Sequence, residues 1–254
     1  MRAHQQAAFI LLNRPYSESS WIVEVFSREY GRLALMAKGA RRPKSRLKGV
    51  LLPFQPLLTS WTGKGEIPIL TSAEIDLKNF DLVDNELHEH ALVCGFYCNE
   101  LLVNLVHRHD PHQTLFDEYM RTIIALSQCK KNDELAEVLR EFEQIIVKET
   151  GYGVSFTSVA GSDEKINPDT FYRFQAGKGF VVTQATEKHA VSGRVILALS
   201  NNIDAKNTTD NNYRNDLSDT EKSQSKHLMR NILHLNLGYK PIISRQLFLP
   251  RGLT

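Results

Sequence analysis

The hydrophobic period of this chain changes once, near residue 80, and that change limits its fold more than any other feature. Before it, "AAFILLNR" (7–14), "WIVEVFSR" (21–28), "GRLALMAKG" (31–39), "FQPLLTSWTG" (54–63) and "EIPILTSAEI" (66–75) read as short strands with turn residues between them. In "GRLALMAKG", Leu33, Leu35 and Ala37 alternate with Arg32, Ala34 and Met36, the period of a strand with one face buried. Five short strands in so few residues predict a small closed barrel or sandwich. After the change, Leu87, Ala91, Cys94, Cys98, Leu101, Leu102 and Leu105 recur at helical spacing, with Asp84 or Asn85 as the N-cap. Further helices are predicted over 113–127, 132–150, 185–199 and 220–237, the second starting at Asn132-Asp133 and stopping at Gly151. "FYRFQAGKGFVV" predicts a hairpin around Gly177 and Gly179, 201–216 a polar loop, and "KPIISRQLFLP" an extended tail. The expected organisation is a barrel domain over 1–80 and a mainly α-helical domain over 81–254, with 151–183 as a small loop and hairpin subregion.

Charge divides along the same line. Residues 1–64 hold eleven Lys or Arg against three Glu, a net of +8; the remainder holds twenty against twenty-six, a net of −6. An asymmetry of this kind points to an N-terminal module that meets a polyanion. Six of those cations, Lys38, Arg41, Arg42, Lys44, Arg46 and Lys48, lie in "AKGARRPKSRLKGV" without an acid among them. The segment falls between the third and fourth strands, so it is expected to be a loop tied down by Gly39, Pro43, Gly49 and Pro53. Arg14, Arg32 and Lys64 are further cations of the same module. Lys and Arg contacts to phosphate supply most sequence-independent nucleic-acid affinity. Tyr16, Trp21, Phe54 and Trp61 are the rings available for stacking on bases, although most aromatics of so small a barrel belong to its core. A solvated basic face, or one that binds an acidic protein, fits the same charges.

Several chemistries are excluded. "GARRPKS" resembles a phosphate-binding loop, but Pro43 stands where a glycine amide must close on the phosphate. Gly63-Lys64-Gly65 is a turn. His90, Cys94 and Cys98 stack along one helix face and span too far to close a four-ligand zinc site alone; His107, His109 and His112 read as solvated. Glu141 and Glu143 read as solvated carboxylates. No nucleophile elbow, H-E-x-x-H or kinase motif is present, and the three acids of the N-terminal module, Glu18, Glu24 and Glu29, argue against a two-metal nuclease site there. No enzyme, cofactor or metal is expected. Three cysteines in no framework suggest a reducing compartment, and apolar runs too short for a signal core or a membrane span suggest a cytoplasmic protein.

Taken together, "RPYSES" (14–19), "EYGRL" (29–33), "AKGARRPKSRLKG" (37–49), "PF" (53–54), "GKGE" (63–66), "AE" (73–74), "GFYCNELL" (95–102), "GYGVSF" (151–156) and "LGYKPIISRQLF" (237–248) resemble the bacterial recombination mediator family RecO over nearly the whole chain. The resemblance implies an OB-fold barrel followed by an α-helical domain, and a non-enzymatic, nucleoid-associated protein. It would bind single- and double-stranded DNA, anneal complementary strands, and with RecR and RecF help to load RecA onto DNA coated by single-strand-binding protein. It also implies a contact with the acidic, Phe-ending tail of that protein, for which Arg140, and less so Arg121, are candidate cations; ordinary salt bridges with neighbouring acids would explain them equally well. Many family members carry a four-Cys zinc site after "GYG", whereas the last cysteine here is Cys129.

Overall fold

The computed structural model describes residues 2–78, 87–150, 154–204 and 217–244, without the side chains of 201–204. The chain divides into two compact units: Met1–Val138 with Ile242–Thr254, and Leu139–Pro241.

The first unit is built on a closed barrel. Its strands are β1 (Arg2–Pro15), β2 (Trp21–Ser27), β3 (Gly31–Ala37), β4 (Pro56–Thr62) and β5 (Ile69–Ile75), in the order β1-β2-β3-β5-β4. This is the expected five-stranded OB-fold. Closure depends on β1, which is long enough to serve two neighbours. Its first half pairs with β4 from Arg2↔Thr62 to Phe9↔Pro56, and its second half with β2 from Ala8↔Ser27 to Pro15↔Trp21, with register shifts that bend it. A parallel pairing of Met36 with Ile69 joins β3 to β5. Alternation sends Val23, Val25, Leu33, Leu35, Leu57 and Trp61 into the barrel core.

The other face of β1 and β2 carries Phe9 and Phe26, both fully buried. Against them pack Phe116 and Tyr119 of α3 (Gln113–Gln128), with ring centroids 5.0–6.4 Å apart. Asn99 of α2 (Glu89–Leu105) donates to the Leu11 carbonyl (3.0 Å) and accepts from the Tyr119 hydroxyl (2.6 Å). Helix α2 begins later than its apolar pattern suggested: its N-cap is His88, without a side-chain cap bond, and Asp84 and Asn85 lie outside the described residues. The backbone N–H groups of Ile243 and Ser244, at the start of the predicted tail, donate to the Glu100 carboxylate at 2.7 and 2.8 Å.

The boundary between the units falls within α4 (Asn132–Glu149). Glu143 on this helix is buried, which corrects its reading as a solvated carboxylate. In the second unit, β6 (Phe171–Gln175) and β7 (Gly179–Thr183) form the expected hairpin, turned by left-handed Gly177 (φ +73°), and β8 (Val191–Ser192) joins β6 on the other side. The helix expected from residue 185 starts only at Gly193, as α5 (Gly193–Asp204). The polar residues before it form turns, and Val191 is held in register with Tyr172. That helix enters the stretch read as a loop; residues 205–216 of the stretch lie outside the described ones. The last helix is α6 (Asp219–Asn236), opened by a full Ser218/Glu221 capping box. Among the described residues no helix is long and apolar enough to cross a membrane.

Candidate nucleic-acid interface

The segment after β3 is a succession of tight turns. Arg42 N–H donates to Gly39 O (3.1 Å), Ser45 N–H to Arg42 O (3.0 Å) and Lys48 N–H to Ser45 O (3.3 Å). Left-handed Gly39 (φ +70°) starts the series. It ends not as a plain loop but in a single helical turn, α1 (Leu47–Val50). Ala40 and Leu51 are fully buried in the barrel core, and Leu47 and Val50 pack against it. The polar face of the segment is therefore held by an apolar one that its glycines and prolines did not announce. Lys38, Arg41, Arg42, Lys44, Arg46 and Lys48 are all exposed, and among the described residues none has an acidic partner.

Two other loops meet this one. The β1–β2 connection is fastened to it by Arg41, whose N–H donates to Ser19 O (3.0 Å) and whose guanidinium donates to Ser17 O. Exposed Arg14, at the end of β1, leads into this connection, which carries Tyr16, 63% exposed. The β4–β5 turn, with exposed Lys64, comes back beside the end of β3, where Met36 N–H donates to Pro68 O at 2.8 Å. The β1–β2 and β4–β5 loops are those with which OB-folds generally take oligonucleotides and oligosaccharides. Eight of the nine cations singled out in the sequence thus belong to segments that converge around the end of β3. Of the four candidate rings, Tyr16 alone is prominently exposed. Trp61 lies in the core against Tyr30 (centroids 5.1 Å), Phe54 is buried against Phe96 (5.1 Å), and Trp21 is partly buried on the barrel.

Arg32 is the ninth cation, and the structure separates it from the rest. It sits at the start of β3 with its side chain 14% exposed, pairs with Glu24, and donates from Nε to the Val106 carbonyl at 2.9 Å. Arg108 completes the cluster, donating to the same carboxylate at 2.8 Å. Two guanidiniums here hold one buried acid, so Arg32, unlike the other eight, has its charge met within the protein.

The other candidates are carried by helices. Arg121, exposed on α3, pairs with Glu118. Arg140, on α4, is partly buried and has no ion pair among the described residues. His90 bonds to Asn132 at 3.0 Å. Cys94 and Cys98 are buried, and burial pushes the Cys94 thiol up to about 11, away from the thiolate a metal needs. Among the described residues no cluster of His, Cys, Asp and Glu suited to a metal is found.

The family model "Recombination protein O N terminal" matches residues 1–77 and "Recombination protein O C terminal" matches residues 90–246. A protein named DNA repair protein RecO from Cupriavidus metallidurans is 37% identical over 98% of this chain and 78% of its own length. Proteins of the same name from Nitrosospira multiformis and Aliivibrio salmonicida are each 38% identical over 97% of this chain and 95% of their own.

Proposed function

Since this chain belongs to the recombination protein O family, we propose that it serves DNA repair and homologous recombination as a non-enzymatic mediator whose basic loop grips DNA. The carrying observation is the set of six exposed cations without acidic partners, held on a buried apolar anchor between the two binding loops of an OB-fold. Backbone contacts of this kind bind single and double strands alike and ignore sequence. They also account for annealing: cations between two strands reduce phosphate repulsion, and base pairing completes the duplex. Tyr16 is the ring placed to stack on an unpaired base.

The test is an electrophoretic or anisotropy series on single-stranded DNA at several salt concentrations. Six phosphate contacts give a log–log slope of about −4 to −5. The Arg41/Arg42/Lys44/Arg46→Ala chain loses most of that slope and most of its affinity; binding equal to the parent at moderate salt refutes the reading. A strand-annealing assay without nucleotide or metal separates this function from a pure adaptor, which would anneal nothing.

In the pathway, the chain would work with RecR and RecF to load RecA onto strands coated by single-strand-binding protein, in the cytoplasm at the nucleoid. Arg140 is the candidate to meet that protein's acidic tail, because it makes no ion pair among the described residues despite the acids on its own helix, whereas Arg121 is held by Glu118. A labelled tail peptide titrated against Arg140→Ala tests this, and unchanged affinity removes Arg140.

A further inference from the structure

The last acid of the chain is Glu221; the thirty-three residues after it hold six Lys or Arg and no Asp or Glu. This run belongs to the part of the chain that is otherwise acidic. On α6, Leu228, Met229, Ile232 and Leu233 are buried, while Lys226, Arg230 and His234 recur four residues apart and are exposed, with His227 beside them. Each step along that row is about 6 Å. Lys222 is engaged by Asp219 at 3.7 Å, but Lys226 and Arg230 have no acidic partner among the described residues.

The row ends at an aromatic side chain in an unusual posture. Helix α6 closes with a Schellman turn: Gly238 N–H donates to Leu235 O (3.1 Å) and Tyr239 N–H to His234 O (3.0 Å), with Gly238 left-handed at φ +59°. Tyr239 is left-handed as well, at φ +62°, a conformation that costs a bulky residue about 1–2 kcal/mol. Its ring stands edge-on to His234 (centroids 4.8 Å, 88°) and is still 66% exposed, followed by exposed Lys240. The apolar staple that accompanies such turns hides its partners, and this ring is not hidden.

We propose that the outer face of α6, with Tyr239 at its end, is a second grip for single-stranded nucleic acid, separate from the basic loop. Cations at regular steps meet successive phosphates, and an exposed ring offers a stacking surface that any base can use. An acidic peptide would use the charges but has no need of a ring held outward against its backbone preference. The surface stands on these residues alone; its purpose rests on the reading of the chain as an annealer, which has to hold two strands at once. One strand would lie on the loop and the other on α6.

The test uses the full chain, a labelled oligo(dT) and a complementary pair of mixed sequence. Lys226→Ala/Arg230→Ala, placed in the loop-variant background, lowers the remaining salt slope by about 1.4, at roughly 0.7 per phosphate contact on a single strand. In the parental background the same pair slows annealing about ten-fold or more, a larger change than in affinity for one strand. Tyr239→Gly removes the ring and relieves the backbone, so the fold is kept or strengthened, while oligo(dT) affinity falls about five-fold or more. An oligonucleotide carrying 5-iodouracil cross-links to Tyr239 on irradiation. An unchanged slope with unchanged annealing overturns the inference, as does a Tyr239→Gly chain that binds like the parent. Loss of polyglutamate binding with oligo(dT) binding intact also overturns it, in favour of an acidic protein. If the α6 variants lose binding but the loop variant loses none, the second grip stands and the loop reading falls.

Discussion

Strand β3 carries arginine near both of its ends, and the two ends use it in opposite ways. At its start, Arg32 is 14% exposed and shares a buried Glu24 with Arg108. Beyond its end, Arg41 and Arg42 are exposed, and neither finds an acid among the described residues. The first arrangement satisfies the charge inside the protein; the second leaves it for something outside. The lesson is that arginine on a barrel reports on binding only once its carboxylates have been located. A buried acid with two donors fixes strands and loops, while unpaired cations on an anchored turn form a field that counterions, or phosphates in their place, must neutralise.

The comparison breaks most sharply at Glu24. Glu24→Ala leaves Arg32 buried and uncompensated and is expected to cost about 3 kcal/mol, at the lower end for a broken buried pair because Arg108 is half exposed. Affinity for DNA, referred to the folded fraction, stays near the parent. The Arg41/Arg42/Lys44/Arg46→Ala chain should behave in reverse, with stability within about 0.5 kcal/mol per site and a salt slope reduced by about 3. Chemical denaturation and a salt series on the two chains check both halves; coupled losses in either would abolish the distinction.

Gly31 sharpens the structural side. It is left-handed at φ +65°, and an added Cβ would lie 2.1 Å from the Asp110 carbonyl oxygen. Gly31→Ala is expected to cost about 2 kcal/mol or more, the left-handed penalty being only part of it, because the backbone of residues 109–110 must move away from β3. Ala40 sharpens the binding side in the same way. It is fully buried, so Ala40→Leu overpacks the core by about 1–3 kcal/mol and lifts the cationic turn off its anchor. DNA affinity should fall although no cation is removed; unchanged affinity would mean that the loop's geometry is irrelevant and only its charge counts.

These residues also mark how far the sequence could be read. Alternating apolar residues declared the strands, and a cluster of cations without acids declared the loop, because both signals are local. Arg32 was indistinguishable from its neighbours, since Glu24 is diagonal to it across the β2–β3 ladder and Arg108 arrives from a residue 84 positions beyond that acid. The one-turn helix α1 was hidden because its apolar residues, Leu47, Val50 and Leu51, are interleaved with cations. Tyr16 and Trp61 look alike as candidate rings until the barrel closes, when one falls on a loop and the other inside. Helix α5 was placed too early for the same reason: its start is set by the pairing of Val191 with Tyr172, which no local pattern records.

The smallest effect lies between the two extremes. Arg28, just past the end of β2, holds Asp117 of α3 in a bidentate pair, Nε to Oδ1 and Nη2 to Oδ2, both 2.9 Å, with each side chain about one-third exposed (36% and 34%). The hydrogen bonds from Arg28 keep the Asp117 carboxyl below its ordinary range. A carboxyl that is more acidic folded than unfolded contributes its full stabilisation above its unfolded pKa, near 3.9, and loses it as the pH falls through the lower folded value. Exposure screens the pair, so its worth is about 0.2–1 kcal/mol. Asp117→Asn is therefore expected to lower Tm slightly at pH 6–7 and to converge with the parent as the pH falls below about 4. A gap of the same size across that whole range would show that packing, and not the carboxylate's charge, holds α3 to the barrel at this point.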